Sequence, residues 1–270
     1  MKIKKGDFVA RKSYKKDILF IVDKVIQLSN GKSYVILKGV TIRIEADAPI
    51  EDVEKVEESR VIGAEERIEK TLLERIKNNK TEHRNHIIKT GKILHLDGDK
   101  RYSEKSIRYY KKMGLNAVVK NISESKQPIM VRQLLETYKP DILVITGHDA
   151  MLKNGMNYSN IYNYRNSRNF IYTVKEARKW ARSSNKLVIF AGACQSFFEA
   201  LIEAGADFAS SPGRILIDFI DPLIVAEKVA ITDRNKFVSS YEIAREIKEG
   251  EKGISGIGAM GKSNKHVTKM

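Results

Sequence analysis

Two side chains with matched chemistry, the imidazole of His148 and the thiol of Cys194, each follow a run of apolar residues. Residues 142–146 precede Gly147, His148 and Asp149, and residues 187–191 precede Gly192, Ala193 and Cys194. A thiolate is a strong nucleophile, and a nearby imidazole both favours the thiolate and carries a proton to the leaving group. The pair therefore predicts nucleophilic acyl transfer, provided that the fold brings the two residues together.

Acyl transfer also needs hydrogen-bond donors for the oxyanion that develops on the attacked carbonyl. The backbone amides of the turn from Gly147 to Asp149 and of Cys194 are the candidates. Glycines at 147 and 192 allow sharp turns and a close approach to a substrate. A helix predicted over residues 195–204 would add its positive N-terminal dipole beside the thiol.

Cys194 also has a simpler interpretation. A single cysteine excludes an internal disulfide and a site of several thiolates within one chain, so Cys194 is either an inert packed thiol or a reactive one. The proposed chemistry needs no metal and no cofactor, and we predict neither.

The elements that must position these residues follow from the pattern of the chain from residue 91 onward. Apolar runs at residues 92–96, 117–119, 141–146, 186–191 and 207–210 alternate with helical patterns. Apolar strands joined by crossover helices predict an α/β fold with a parallel sheet covered on both faces. In such a sheet functional groups gather beyond the carboxyl ends of the strands. His148 and Cys194 therefore share an edge if their strands are neighbours.

The first part of the chain has a different pattern. Residues 1–57 contain short β-branched runs at 7–11, 18–22, 34–38 and 41–45, separated by glycine turns, and predict a small SH3-like β-barrel. Residues 58–90 alternate charges with apolar residues at helical spacing and predict a charged helical linker. Residues 91–270 then form the predicted catalytic domain.

The net charge is +15, which raises the possibility of nucleic-acid binding. The excess is spread over all three parts of the chain rather than packed into one arm, which disfavours a dedicated nucleic-acid protein. No apolar run reaches the roughly 18 residues of a membrane span, and the first residues lack the apolar run of a signal peptide. We expect a soluble cytosolic protein with no membrane partner.

Five segments resemble the YabG family of sporulation-specific proteases of endospore-forming Firmicutes: residues 7–14, 94–99, 140–150, 190–196 and 205–212. The resemblance implies kinship with the caspase, clostripain and gingipain clan and a caspase-like α/β peptidase domain. It maps the catalytic dyad of that clan onto His148 and Cys194, whose separation is close to the roughly 50 residues found in caspases.

The resemblance also implies cleavage after arginine, and arginine-specific members of the clan hold the guanidinium with carboxylates. Asp97 and Asp99 are the first candidates because they leave a predicted strand at the same sheet edge; Asp149 and Asp207 are second. A carboxylate selects arginine through planar bidentate pairing. The alternative is that Asp97 and Asp99 only cap the next helix.

The resemblance further implies a peptidase of the mother-cell cytoplasm, associated with the forespore coat, whose protein substrates are spore coat and related proteins. Self-cleavage is an open expectation, as is the oligomeric state, with a homodimer among the options. Three alternatives remain: a binding module for coat proteins or nucleic acid with a structural Cys194, a glutaminase, or an esterase.

Overall fold

The computed structural model describes residues 2–29, 31–82, 87–152, 157–181 and 187–266. Its first part is an antiparallel N-terminal sheet in the order β4-β3-β2-β1-β5. The strands are β1 (Phe8–Arg11), β2 (Phe20–Gln27), β3 (Ser33–Gly39), β4 (Glu45–Pro49) and β5 (Val53–Lys55).

The prediction of a strand over residues 41–45 is wrong, because β4 begins only at Glu45. The preceding residues leave the N-terminal sheet and pair with the C-terminal part of the chain. The amide of Phe219 donates to the Thr41 carbonyl at 3.0 Å, and Ile42 forms an antiparallel bridge with Asp218. β-Branched residues favour an extended pairing, but their pattern does not specify the partner strand.

The central sheet has six strands in the order β13-β11-β10-β9-β7-β8. Neighbouring strands from β8 to β11 are parallel, and β13 runs antiparallel to β11. The prediction of an α/β fold with a parallel sheet is confirmed. The strands are β7 (Ile93–Asp97), β8 (Ala117–Asn121), β9 (Ile142–Thr146), β10 (Val188–Ala191), β11 (Phe208–Ser210) and β13 (Ile254–Gly256).

Two small antiparallel pairs complete the described strands: β6 (Ile87–Lys89) with β15 (Asn264–His266), and β12 (Phe237–Val238) with β14 (Ala259–Met260). The α-helices are α1 (Glu58–Glu82), α2 (Lys100–Lys112), α3 (Gln127–Tyr138), α4 (Ser167–Ala181), α5 (Phe198–Glu203), α6 (Asp221–Ile231) and α7 (Ser240–Ala244). Within the described ranges, no helix combines the length and apolar character that a membrane crossing requires.

Helices cover both faces of the central sheet because successive residues of each strand point to opposite sides. On one face, Ile93 and Val144 pack with apolar residues of α2 and α6. On the other, Leu94 and Ile145 pack with apolar residues of α3 and α4. Burial on both faces explains why these strands are continuous apolar runs.

The charged helix α1, in the predicted linker, packs against one face of the central sheet and its helices. Leu72 and Ile76 on this helix are buried. The guanidinium of Arg75 lies 2.6 Å from both Glu227 on α6 and Glu246, which fixes the helix on that face. Residues 83–86 of the predicted linker lie outside the described residues.

Candidate active site

The sheet brings the two reactive segments to one edge. β9 and β10 are parallel neighbours in which Ile145 pairs with Ala191. The turn from Gly147 to Asp149 and the turn containing Cys194 both follow these paired ends, so His148 and Cys194 emerge beyond the carboxyl end of the sheet.

The turn that carries His148 is held by a buried carboxylate, Glu124. The amide of His148 donates to Glu124 Oε1 at 2.8 Å. A Cβ on Gly147 or on Gly98 would collide with the Glu124 carboxylate where it now lies, so a side chain at either position would displace that carboxylate. Burial raises the pKa of Glu124 to about 7, against the effect of this backbone hydrogen bond.

The turn that carries Cys194 is a tight one. Gly192 has φ of +114° and Gln195 has φ of +56°, so the backbone is left-handed on both sides of the cysteine. Ser196 Oγ accepts from the Ala193 amide at 2.9 Å. Helix α5 starts only at Phe198, so the prediction of a helix N-terminus directly beside the thiol is wrong.

The Cys194 side chain is completely buried. Its Sγ accepts a hydrogen bond from the Ile217 amide at 3.2 Å and lies 3.5 Å from the Ile217 carbonyl oxygen. It belongs to the apolar cluster that also contains Ile44 and the inner residues of the N-terminal sheet. Burial raises the pKa of the thiol to about 12, so the sulfur is protonated in this arrangement.

The imidazole of His148 is buried as well and stacks on Tyr102, with ring centroids 5.3 Å apart. Among the described residues neither ring nitrogen has a hydrogen-bond partner, although Nε2 lies 3.7 Å from Asp99 Oδ2. Burial lowers the pKa of His148 to about 4, despite the nearby Asp99 charge. The imidazole is therefore neutral at pH 7.

A segment of the chain itself, residues 41–45, fills the cleft between these groups. Its backbone forms hydrogen bonds on both sides, as an added β-strand would. The Arg43 amide donates to the Ile217 carbonyl at 3.3 Å, and the Glu45 amide donates to the Asp149 carbonyl at 3.3 Å.

The carbonyl oxygen of Arg43 lies where the two reactive turns converge. It accepts hydrogen bonds from the amide of Cys194 at 3.2 Å and from the amide of Asp149 at 3.3 Å. Both amides are among the donors expected from the sequence for an oxyanion. Gly147 was also among the donors expected for the oxyanion, and in the structure it allows the close contact of this turn with Glu124.

The side chain of Arg43 is fully buried in a pocket formed by Asp97, Phe219 and Tyr102. Nη1 lies 2.8 Å from Asp97 Oδ2, while Nε and Nη2 donate to the Phe219 carbonyl at 3.3 and 3.1 Å. The guanidinium lies 4.9 Å from the centre of the Tyr102 ring. The pocket thus offers a carboxylate, a carbonyl and an aromatic face to one guanidinium.

Asp97 is held in place by groups behind the pocket. Its Oδ1 accepts from the Asp99 amide at 2.9 Å, and His95 Nε2 lies 3.5 Å from Oδ2. Burial alone would raise the pKa of Asp97, but the Arg43 guanidinium, the His95 ring and the Asp99 amide together outweigh it and hold the pKa well below the usual range.

The other three candidate carboxylates have different partners. Asp99 caps α2, with Oδ1 accepting from the amides of Arg101 at 2.7 Å and Tyr102 at 3.2 Å. The Asp207 carboxylate accepts from Arg178 Nη2 and from the Ile189 amide, both at 2.6 Å.

The Asp149 side chain has hydroxyls and backbone amides as its hydrogen-bond partners rather than a guanidinium. Its carboxylate accepts from the hydroxyls of Ser167 at 2.5 Å and Ser196 at 2.9 Å and from the Asn166 amide at 2.8 Å. Burial raises its pKa to about 6. This side chain ties the turn after His148 to α4 and to the turn after Cys194.

No motif in the sequence marked Arg43, Glu124 or Tyr102 as a site residue. Arg43 stood inside a predicted strand and Glu124 in a polar stretch after β8, with no motif around either. Tyr102 lay between a predicted strand and the next helical pattern. Within the described residues, no group of three or more His, Cys, Asp and Glu side chains is arranged to hold a metal ion.

Comparisons with known proteins give one family. A family model described as YabG peptidase U57 matches residues 4–268. The sporulation-specific protease YabG of Bacillus subtilis (strain 168) is 37% identical over 279 residues, covering 97% of this chain and 96% of that protein. No solved structure matches.

Proposed function

The chain belongs to the YabG peptidase U57 family of sporulation proteases, and we propose that it is a cysteine endopeptidase that cleaves after arginine through Cys194 and His148. Family membership makes it a peptidase. The residues that do the chemistry and the residue after which it cuts are the proposal.

One observation carries the proposal. Arg43 lies with its carbonyl on the amides of Cys194 and Asp149 and with its guanidinium on Asp97. A peptidase that cuts after arginine needs donors for the carbonyl oxygen and a carboxylate for the side chain, both at fixed distance from the nucleophile. The position of Arg43 supports this assignment of Asp97 as the selective carboxylate.

The mechanism uses these contacts in order. A substrate arginine enters the pocket of Asp97 and the Phe219 carbonyl, which sets its own carbonyl on the two amides. His148 takes the proton from Cys194, and Sγ adds to the carbonyl carbon. The amides of Cys194 and Asp149 stabilise the oxyanion.

The oxyanion then collapses. The peptide C–N bond breaks, His148 gives its proton to the departing amine, and a thioester joins the arginine to Sγ. Water, deprotonated by His148, hydrolyses the thioester and returns the thiol. Asp99, 3.7 Å from His148 Nε2, favours the imidazolium that forms between these steps.

Membership of a family of sporulation proteases supports a wider biological role in sporulation. In this proposal the substrates are spore coat and related proteins, cut by a mother-cell enzyme at the forespore coat. The central domain is caspase-like and the N-terminal sheet is an SH3-like barrel that docks protein substrates. A binding module with a structural cysteine is disfavoured by the family membership.

The test compares the full-length chain with Cys194→Ala and His148→Ala on a peptide with one arginine and on the same peptide with citrulline there. Since Arg43 fills the pocket, each variant is also made together with Arg43→Gln. We expect both dyad variants to lose roughly 10³-fold or more in kcat/KM. The exposed variant Arg132→Gln serves as control. Unchanged turnover in Cys194→Ala would refute the assignment.

A further inference from the structure

The peptide bond between Arg43 and Ile44 lies between the turn that carries His148 and the turn that carries Cys194. Arg43 has its carbonyl on the Cys194 and Asp149 amides, and Ile44 continues beside Asp149 in a parallel bridge. We infer that this chain cuts itself between Arg43 and Ile44, and that until the cut residues 41–45 keep other substrates out of the cleft. The inference rests on the function proposed above.

Simple packing of the N-terminal sheet against the central domain does not explain the arrangement. An apolar side chain would fill a buried gap without the desolvation cost of a guanidinium. Here an arginine is buried instead, and its charge meets Asp97 at 2.8 Å. Residues 41–43 also run antiparallel to residues 217–219, as a bound extended peptide does.

Several contacts delay the cut. The Ile44 amide donates to the Ile42 carbonyl at 2.9 Å, which bends the chain at Arg43. The Tyr102 hydroxyl lies 2.7 Å from the Gly39 carbonyl and 2.9 Å from the Ile42 carbonyl, and it holds that bend. The turn must open before His148 can protonate the Ile44 nitrogen. The closed form is therefore a resting state.

The cut is a balanced hydrolysis. Cys194 Sγ bonds to the Arg43 carbonyl carbon, and its proton passes to His148. The C–N bond to Ile44 breaks as that nitrogen receives the proton from His148. Water then hydrolyses the thioester, which leaves a carboxylate on Arg43, an amine on Ile44 and a free thiol on Cys194.

The new amino end has room to leave. Ile44 lines a groove of about 780 Å³ that also borders Ala150, Gln195 and Leu216. Residues 41–43 are on the amino-terminal side of the cut. Their departure would vacate the Asp97 pocket for another arginine.

The two products stay together after the cut, because the bond lies between two paired strands. β3 is on the shorter product and β4 on the longer one, and they pair from Tyr34 with Pro49 to Lys38 with Glu45. β1 and β5 pair across the cut in the same way. The cut protein should migrate as one species in native conditions and as two in denaturant.

The experiment incubates full-length wild type, Cys194→Ala, Arg43→Gln, Arg43→Lys and the surface control Arg132→Gln, and maps fragments by intact mass and N-terminal sequencing. We expect wild type and Arg132→Gln to give residues 1–43 and 44–270, with a rate constant unchanged by tenfold dilution. Cys194→Ala and Arg43→Gln should stay whole at this bond. Arg43→Lys keeps the charge and the fold and should cut at least about tenfold more slowly.

Turnover of the arginine peptide separates the outcomes. Uncut wild type should turn it over at least about tenfold more slowly than Arg43→Gln, because its cleft is occupied. Wild type that turns over the peptide while its Arg43–Ile44 bond stays whole overturns the inference. So does wild type that neither cuts itself nor acts on the peptide while Arg43→Gln is active. If neither wild type nor Arg43→Gln acts on the peptide, both the proposed function and this inference are refuted.

Discussion

The guanidinium of Arg43 and the carboxylate of Asp97 lie 2.8 Å apart, and neither side chain is exposed to solvent. The first belongs to the N-terminal part of the chain and the second ends a strand of the central sheet, 54 residues later. A buried carboxylate without such a partner is costly. A vacant pocket at Asp97 therefore favours any peptide that brings an arginine to it.

Asp97→Asn should remove the preference for arginine. In chains that also carry Arg43→Gln, so that the pocket is vacant, we expect kcat/KM on the arginine peptide to fall roughly 10²-fold or more, because the site loses a charge-assisted bond. The citrulline peptide should be affected far less. Asp207→Asn is the matched control, since Asp207 pairs with Arg178. A loss of selectivity in Asp207→Asn alone would place the pocket elsewhere.

Glu124 should act as a positioning residue through the His148 amide. Glu124→Ala leaves that amide without its acceptor and frees the turn, so we expect kcat to fall roughly 10- to 100-fold with little change in KM. Glu124→Gln keeps an acceptor oxygen and should recover most of the rate. Glu136→Ala, on the exposed face of α3, controls for loss of a carboxylate. A change in KM with kcat intact would contradict the positioning role.

The thiol of the uncut protein should react slowly. Because burial raises the pKa of Cys194 to about 12, iodoacetamide labelling of folded, uncut chain should be negligible at pH 7 and rise with pH. Tyr102→Phe removes the hydroxyl that holds residues 39–42, and we expect labelling at least about tenfold faster. The reference is the chain unfolded in urea, in which the labelling rate should reach half its maximum near pH 8.5, the ordinary pKa of a cysteine thiol. Fast labelling of folded, uncut wild type at pH 7 would contradict the closed cleft.

His148 should make stability depend on pH in a defined window. Its folded pKa of about 4 lies below the unfolded value, so between about 6.5 and 4 only the unfolded chain binds this proton. The contribution of neutral His148 to the free energy of unfolding is therefore fully present above about pH 6.5 and is lost as the pH falls towards 4. The loss is about 1.4 kcal/mol per pH unit, or about 3 kcal/mol in all.

The measurement is urea unfolding of Cys194→Ala chains with His148 or with His148→Gln, from pH 4 to 7. Glu124 and Asp149 have raised pKa values and favour the folded state as pH falls, but both chains contain them. The difference between the two free energies of unfolding isolates His148. A constant difference across the window would mean that the imidazole titrates normally in the folded protein.

The strands of the central sheet were predictable because burial on both faces leaves long apolar runs with clear limits. That His148 and Cys194 lie at the same edge followed from their positions at the carboxyl ends of two parallel strands. The path of residues 41–45 did not follow, since Thr41, Ile42 and Ile44 favour extended structure whichever partner they pair with.

Two local features also escaped prediction. The helix after Cys194 begins late because Gln195 is left-handed and Ser196 Oγ bonds the Ala193 amide, and neither constraint is visible in the residue types. The role of Glu124 depends on Gly98 and Gly147 approaching it from two different strands. Only the folded chain brings these three residues together.

The order of synthesis gives the position of Arg43 a last consequence. The ribosome completes the N-terminal sheet long before Phe219, which follows Arg43 by 176 residues. At about 5–20 residues per second, this interval is on the order of 10 s or longer. Residues 41–45 are therefore already synthesised when Phe219, which lines the pocket of Arg43, is translated. If residues 41–45 close the cleft as proposed above, a newly synthesised molecule would not present a vacant site and would need no separate inhibitor.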